Sequence, residues 1–483
     1  MSSGKTCEQP LRILQVGTAD ILGGAERLAW NLFHSYRNRG HISWLAVGRK
    51  YTSDPDVFSI PNERKESLWF RLSDAGQKEL ESVEERLPGV WRLRQWLRTW
   101  SRPWHTVQRS LGREDFDYPG SRRLLTLPPV KPDIVHCHNL HGNYFDLRIL
   151  SWLSRQVPVI LHLHDAWLLS GHCAHSFDCE RWKTGCGECP DLSIYPAVER
   201  DGTHYNWRRK RDIMADGRFY VTAPSQWLMD KVKQSILAPS MVAAKVIPNA
   251  VDVSIFHRTD RGHIRSTLGL PYDAKVLLFA AHGIRANIWK DYQTMRSAVA
   301  QIAERLQRHR LIFIALGEGG PPERVGNAQV QFVPYQSDPQ AVARYCQAAD
   351  VYIHAARAEA WGLAITEALA CGTPVVATAV GGIPEQVKGL HLPELGPSVG
   401  ELNRHEEKEA TGILVPCGHA QAMATSIERL LIDDSLRRRL GENAASDVVK
   451  RFDLESQADR FLDWYQKIVT DHAALSSKQA GVV

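Results

Sequence analysis

The chain has 483 residues, 43% hydrophobic and 23% charged, with a formal net charge of +5; this is the balance of a soluble globular protein with two or three domains. No run nears the ~20 apolar residues of a membrane span, the first residues hold no apolar signal core, and an odd nine cysteines speak for reduced thiols in a cytoplasm rather than a disulfide scaffold. The charge is too mild, and too bare of recognition motifs, for a nucleic-acid partner.

Residues 11–17 form a short β-rich run that leads through Gly23 and Gly24 into a helical segment reaching Tyr36, and 43–48 read as a second strand. Strand, glycine pair and helix can hold a phosphate or sugar close to backbone, although such a pair is more often a plain turn. From about 51 to 127 the rhythm breaks, and Trp91, Trp96, Trp100 and Trp104 interleave with arginines. Two readings stand: a helical insert packing its tryptophans on the body, or, for 91–104, contact with an anionic membrane surface.

The α/β rhythm resumes with strands over 132–138 and 157–164, which end in His138 and His164. Ligands of open α/β sheets bind beyond the carboxyl ends of strands, so two histidines at equivalent ends are functional candidates. A loop over 172–190 follows, with Cys173, Cys179, Cys186 and Cys189. The last two have zinc-knuckle spacing and the first two could complete a tetrahedral thiolate site, with His172 and His175 as substitutes. The competing reading is a set of reduced thiols. Four thiolates leave no open position, so a catalytic metal is not expected.

A strand at 219–223 and another opening at Lys245 close this half. A second series begins at 276–281 and continues through 311–316, 330–334, 351–354, 375–378 and 411–416, with helix over 421–467. Between two of its strands lies Glu359-Ala-Trp-Gly-Leu363, then a helix carrying Glu367 and stopped by Gly372 and Pro374. A helix start favours phosphate, and Gly362 lets it approach. Carboxylates beside such a site suit neutral hydroxyls, so a ligand with pyrophosphate between sugars fits. A surface helix with solvated glutamates fits the spacing equally well.

Taken in order, Gly23-Gly24-Ala-Glu26, His164, Ile247-Pro-Asn-Ala-Val-Asp252, Lys290, Gly317-Glu318-Gly319, Glu359-x7-Glu367 and Gly381-Gly-Ile-Pro-Glu385 resemble the retaining glycosyltransferases of family 4. The cysteine loop further resembles a subgroup that builds bacterial exopolysaccharides such as colanic acid. The resemblance implies the GT-B fold, an α/β architecture of two Rossmann-like domains facing across a cleft. It implies a nucleotide-diphosphate sugar as donor, a glycan or lipid-linked acceptor, and no metal for catalysis. Catalytic roles would fall to His164, Lys290 and Glu359. The donor would meet Gly23, Gly24, Arg285, Gly317, Glu318, Gly362, Leu363 and Glu367, with backbone N–H groups of Gly362 and Leu363 on the pyrophosphate. Relatives carry Gly-Arg several residues before the lysine; here Arg285 or His282 would have to replace that arginine.

The expected organisation is an acceptor-side domain over 1–240, a linker over 241–258, a nucleotide-sugar domain over 259–450, and a final helix and tail over 451–483. A nucleotide-sugar epimerase or hydrolase on the same fold, or a non-catalytic polysaccharide-assembly subunit, are the rival functions. The cytoplasm, at the inner face of the membrane, is the expected location.

Overall fold

The structure is a computed structural model and describes residues 9–62, 103–392 and 405–480. Two seven-stranded sheets form its centre. The first contains β1 (Arg12–Ala19), β2 (Ile42–Arg49), β3 (Val57–Ser59), β4 (Ile134–Cys137), β5 (Val159–His162), β6 (Phe219–Ala223) and β7 (Met241–Val246), in the order β3-β2-β1-β4-β5-β6-β7. All its neighbours run parallel. The second contains β8 (Lys275–Ala280), β9 (Leu311–Leu316), β10 (Glu323–Val325), β11 (Ala328–Val333), β12 (Val351–His354), β13 (Val375–Thr378) and β14 (Gly412–Val415), in the order β10-β11-β9-β8-β12-β13-β14. Only the β10–β11 pair in it is antiparallel. The continuous apolar runs of β5, β9 and β13 are what strands covered on both faces require.

The strand order reverses beside β1 in the first sheet and beside β8 in the second. At such a switch point successive crossovers leave to opposite faces and open a crevice at the strand ends. The Gly23–Gly24 loop follows β1 and the loop carrying Lys290 follows β8, so both lie at reversals.

Two boundaries differ from expectation. Residues 241–246 form β7, an edge strand paired with β6, so the connection to the second domain starts after Val246 rather than at 241. Its middle residues, Val242 to Lys245, are exposed, and without a buried face the strand has no alternation to read. The Leu454–Ala480 helix, though last in sequence, returns to the first domain. Leu454, Phe461, Trp464, Tyr465 and Ile468 bury themselves against Ile13, Leu32, Tyr36, Ile134 and Ile160. Burying each such side chain contributes roughly 1.5–3 kcal/mol, which fixes the helix where it lies.

The break from about 51 onward contains β3 and a helix, Pro103–Ser110. Most of the 91–104 stretch lies outside the described residues. Among the described residues no helix is long and apolar enough to cross a membrane.

Candidate active site

The Leu363–Ala370 helix starts directly behind the loop that follows β12, with Gly362 as its N-cap. Gln386 clasps that cap: its Oε1 accepts from Gly362 N at 3.0 Å while its Nε2 donates to Gly362 O and Thr366 Oγ1, each at 2.9 Å. The N–H of Gly362 is therefore taken, contrary to the expectation that it faces pyrophosphate. The next two N–H groups, of Leu363 and Ala364, have no acceptor among the described residues. They are the open donors of this helix start.

Glu359 lies ahead of the cap, and two glycines shape its surroundings. Gly381 has φ +58°, and a Cβ on it would stand 1.9 Å from Glu359 O. Gly317, at φ +123°, presses equally close to Ala281 O. Only glycine combines such a φ with such an approach. The Glu359 carboxylate meets Lys290, whose Nζ is also 3.2 Å from His354 Nε2. Burial pushes the Glu359 carboxyl upward, but Lys290 and His354 outweigh it and hold the group well below the usual carboxylate range. His354, at the end of β12, is lowered to about 4 by burial and then by Lys290. At neutral pH Glu359 is thus a carboxylate and His354 a neutral imidazole. Lys290 is held in place by the backbone on either side of it, since Asp291 N donates to Ala355 O at 2.6 Å and Arg357 N to Trp289 O at 2.9 Å.

Glu367 is buried one turn into the helix and receives Arg27 Nη1 at 2.9 Å from the opposite domain. Arg27 stands on the Gly24–Asn38 helix, whose N-cap is Gly23. Nearby, Tyr335 Oη donates to Leu22 O at 2.7 Å, again from one domain to the other. Leu22 holds φ 141° in the loop before the glycine pair. A third bridge joins Glu385 to Gln226 N and Trp227 N at 2.7 and 2.9 Å.

Arg285 does not join this group. It pairs with Glu318, donates to Gly319 O at 3.2 Å and covers the Phe332 ring at 4.6 Å. Glu318 in turn accepts from the N–H groups of Ile284 and Arg285 at 2.6 and 2.9 Å. The two therefore brace each other beside Gly317. Arg27 is the arginine that the structure brings to the helix carrying Glu367.

His164 belongs to a stack of four imidazoles on one face of the first sheet, because His136 and His138, and likewise His162 and His164, are two residues apart on adjacent strands. His136 Nε2 lies 3.2 Å from His162 Nδ1, and His138 Nδ1 3.0 Å from His164 Nε2. His136, His138 and His162 have ligand nitrogens within 4.8 Å of one another, the spacing an ion would need. Yet His136 also meets Tyr465 Oη, and His138 also meets Gln15 Oε1. Only His162 Nε2 of these three residues remains open, so the rings are arranged for each other. Burial lowers His164 to about 4. Next to it His141 Nε2 pairs with Asp165 Oδ2 at 2.8 Å.

The cysteine loop reaches the same cleft. Phe177 stacks on Trp289 at 5.3 Å and His175 meets it edge-on at 5.2 Å, one residue before Lys290. Turns at positive φ, including Phe177, Cys186 and Glu188, fold the loop tightly. Burial raises Cys173 to about 11 and Cys186 to about 12, with neighbouring thiols adding to the rise. His172 Nε2 stands 3.3 Å from Cys189 Sγ. The four sulfurs of Cys173, Cys179, Cys186 and Cys189 do not meet the 4.8 Å spacing that the histidines do, so sharing an ion would require them to draw together.

Arg27, His354, Tyr335 and Gln386 were not singled out in the sequence. Arg27 follows Gly23-Gly24 by one helical turn, which was a readable signal; the other three depend on how distant elements meet.

Two family models match the chain: glycosyltransferase family 4 over residues 22–255 and glycosyl transferases group 1 over 260–447. WcaC of Escherichia coli (strain K12), assigned as a glycosyl transferase of colanic acid biosynthesis, is 28% identical over 259 residues, 51% of this chain and 60% of that protein. A D-inositol 3-phosphate glycosyltransferase of Corynebacterium jeikeium (strain K411) is 31% identical over 358 residues, 70% of this chain and 73% of that protein. The chain spans about half the length of other first-ranking relatives, such as the 49% covered of a Nocardioides sp. D-inositol 3-phosphate glycosyltransferase. Among solved structures, sucrose-phosphate synthase from Thermosynechococcus elongatus superposes with a TM-score of 0.59 at 17% identity, covering 95% of this chain and 100% of that one. Anabaena HepE in complex with UDP-glucose gives 0.57, also at 17% identity and with the same coverage. With two facing parallel-sheet domains, each matched by its own family model, the chain belongs to the family 4 glycosyltransferases of GT-B fold.

Proposed function

We propose that the protein moves a sugar, with retention of anomeric configuration, from a nucleotide-diphosphate sugar to a glycan or lipid-linked acceptor in polysaccharide biosynthesis. One observation carries this reading: the open N–H groups of Leu363 and Ala364 stand between the carboxylates of Glu359 and Glu367, with Lys290 on one side and Arg27 facing from the other domain. Anion donors at the centre and hydroxyl acceptors at both ends match a diphosphate joined to two sugars.

In this scheme Glu367 accepts from the nucleotide ribose and Glu359 from donor-sugar hydroxyls. Leu363 and Ala364 hold the pyrophosphate. The acceptor oxygen bonds to the anomeric carbon as the bond from that carbon to the phosphate oxygen breaks, and the departing phosphate takes the acceptor's proton. Lys290 offsets the negative charge that grows on this phosphate. Glu359 remains ionised, which suits a hydroxyl acceptor and not a proton donor. The UDP-glucose held by the fold relative HepE and the biosynthetic assignment of WcaC support the donor class and the pathway class.

Thermal stabilisation by a panel of UDP- and GDP-sugars tests this directly. A donor at 100 times its Kd adds about 2.7 kcal/mol of stability. No response to any member would overturn the donor class, and donor consumption without acceptor would favour the epimerase or hydrolase reading.

The location proposed is the cytoplasmic face of the membrane, with contact through 91–104. Liposome sedimentation should weaken when Trp91, Trp96 and Trp100 become alanine; unchanged sedimentation would return the stretch to ordinary packing.

A further inference from the structure

We infer that Gln15 sets the tautomer of His164, so that His164 meets the cleft with a bare Nδ1 that accepts a hydrogen bond and cannot donate one. Gln15 is then a positioning residue of the proposed site, and this role rests on His164 acting there.

Gln15 is fully buried on β1. Its Nε2 donates to the carbonyl of Ala29 at 3.1 Å. A carbonyl oxygen cannot donate, so chemistry alone fixes which end of the amide is nitrogen. The other end, Oε1, is therefore the atom 3.0 Å from His138 Nε2. An amide oxygen only accepts, so His138 carries a proton on Nε2.

His138 is neutral, because burial first, then His136 and His164, press its pKa well below the ordinary histidine value. A neutral imidazole protonated on Nε2 has a bare Nδ1. That nitrogen stands 3.0 Å from His164 Nε2, so His164 is the donor and its proton is on Nε2. His164 is neutral as well, and its one proton is accounted for. Its Nδ1 is left with a lone pair. Reversing any one link would set two protons or two lone pairs against each other in a buried site.

The consequence is selective. A bare nitrogen attracts a sugar hydroxyl, which can donate, and repels a phosphate oxygen, which offers only lone pairs. His164 thereby distinguishes the sugar end of a donor from its diphosphate. It also cannot supply a proton to a leaving group, since its proton faces the interior.

Nitrogen-15 labelling of histidine in the full chain reads the tautomer, with His164→Gln identifying the His164 signals. A protonated Nε2 and a bare Nδ1 are expected. Gln15→Met removes the acceptor while keeping length and apolar bulk. It should mix the two tautomers at His164 and lower kcat/KM roughly threefold to tenfold, with the UDP- or GDP-sugar found in the panel and with UDP and GDP affinities unchanged. A proton on Nδ1 of His164 in the unaltered protein overturns the proposal, as does an unchanged tautomer in folded Gln15→Met. If Gln15→Met does not fold, the spectrum of the unaltered protein still decides. The spectrum requires no donor, so the two readings fail separately: full sugar transfer by His164→Ala would remove His164 from the site while leaving the tautomer assignment to the spectrum.

Discussion

Arg27 and Glu367 form an ion pair of 2.9 Å between the two domains, with side-chain exposures of 21% and 5%. The carboxylate proposed to hold the donor ribose therefore already has a cation beside it, supplied by the acceptor-side domain. A charge-assisted bond of this kind ties the state of the donor pocket to the position of the facing helix.

Replacing Arg27 by methionine should destabilise the protein by roughly 1–3 kcal/mol, because Glu367 would be left as an unpaired buried charge. Burial already raises the Glu367 carboxyl, against the opposing pull of Arg27. Without Arg27 it rises further. A carboxyl raised by folding binds more protons folded than unfolded, so stability falls as pH climbs from its unfolded value through its folded one. The variant should accordingly regain stability as pH is lowered from 7 toward 5, more than the unaltered protein does. Thermal unfolding across that range checks the sign.

Glu367→Ala should weaken donor binding about tenfold to a hundredfold, the equivalent of one charged hydrogen bond, with secondary structure retained. Calorimetry with the responding nucleotide sugar measures it. Equal affinity would remove Glu367 from the ribose site.

Lys290→Ala should lower kcat by about 10²–10³, the scale of losing one stabiliser of developing charge, with a smaller effect on donor affinity. The histidines near the site, His164 and His354, are each lowered to about 4. An acid limb in the rate profile should therefore fall near pH 4 and not near 6.5, the usual histidine range. A limb at or above 6.5 would belong to another group, such as His141, which burial lowers but Asp165 raises by more.

Gly381→Ala should abolish transfer and destabilise the fold. Its Cβ would stand 1.9 Å from Glu359 O at a φ of +58°, so the Glu359 backbone must move. A fully active variant would mean that the position of Glu359 is unimportant.

The zinc suggested by the spacing of Cys173, Cys179, Cys186 and Cys189 would have to draw the sulfurs together and deprotonate Cys173 and Cys186, which burial raises. Metal analysis of purified protein should find about one equivalent, retained through gel filtration. A substoichiometric content lost on the column would identify the loop as a cluster of reduced thiols.

Much of the architecture was legible because buried parallel strands leave continuous apolar runs, and β1, β5, β9 and β13 show them plainly. Three-residue strands such as β3 and β10 are too short for any pattern to register. The Glu359–Glu367 helix could be found by its caps and spacing. Whether Gly362 or Ala364 keeps a free N–H could not, since Gln386 decides it from the far side of β13. The partner of Glu367 was equally hidden, lying 340 residues away in sequence.

The chain passes between the domains twice, and the two passages lie side by side. Val251 N donates to Phe452 O and Leu454 N to Val251 O, each at 3.0 Å, in a parallel bridge of Val251 with Asp453. A single tether would let one domain both bend and twist against the other. Two joined tethers suppress the twist and leave a single bending axis, as two pins do for a door. Any movement of one domain against the other would have to bend both passages together at this bridge.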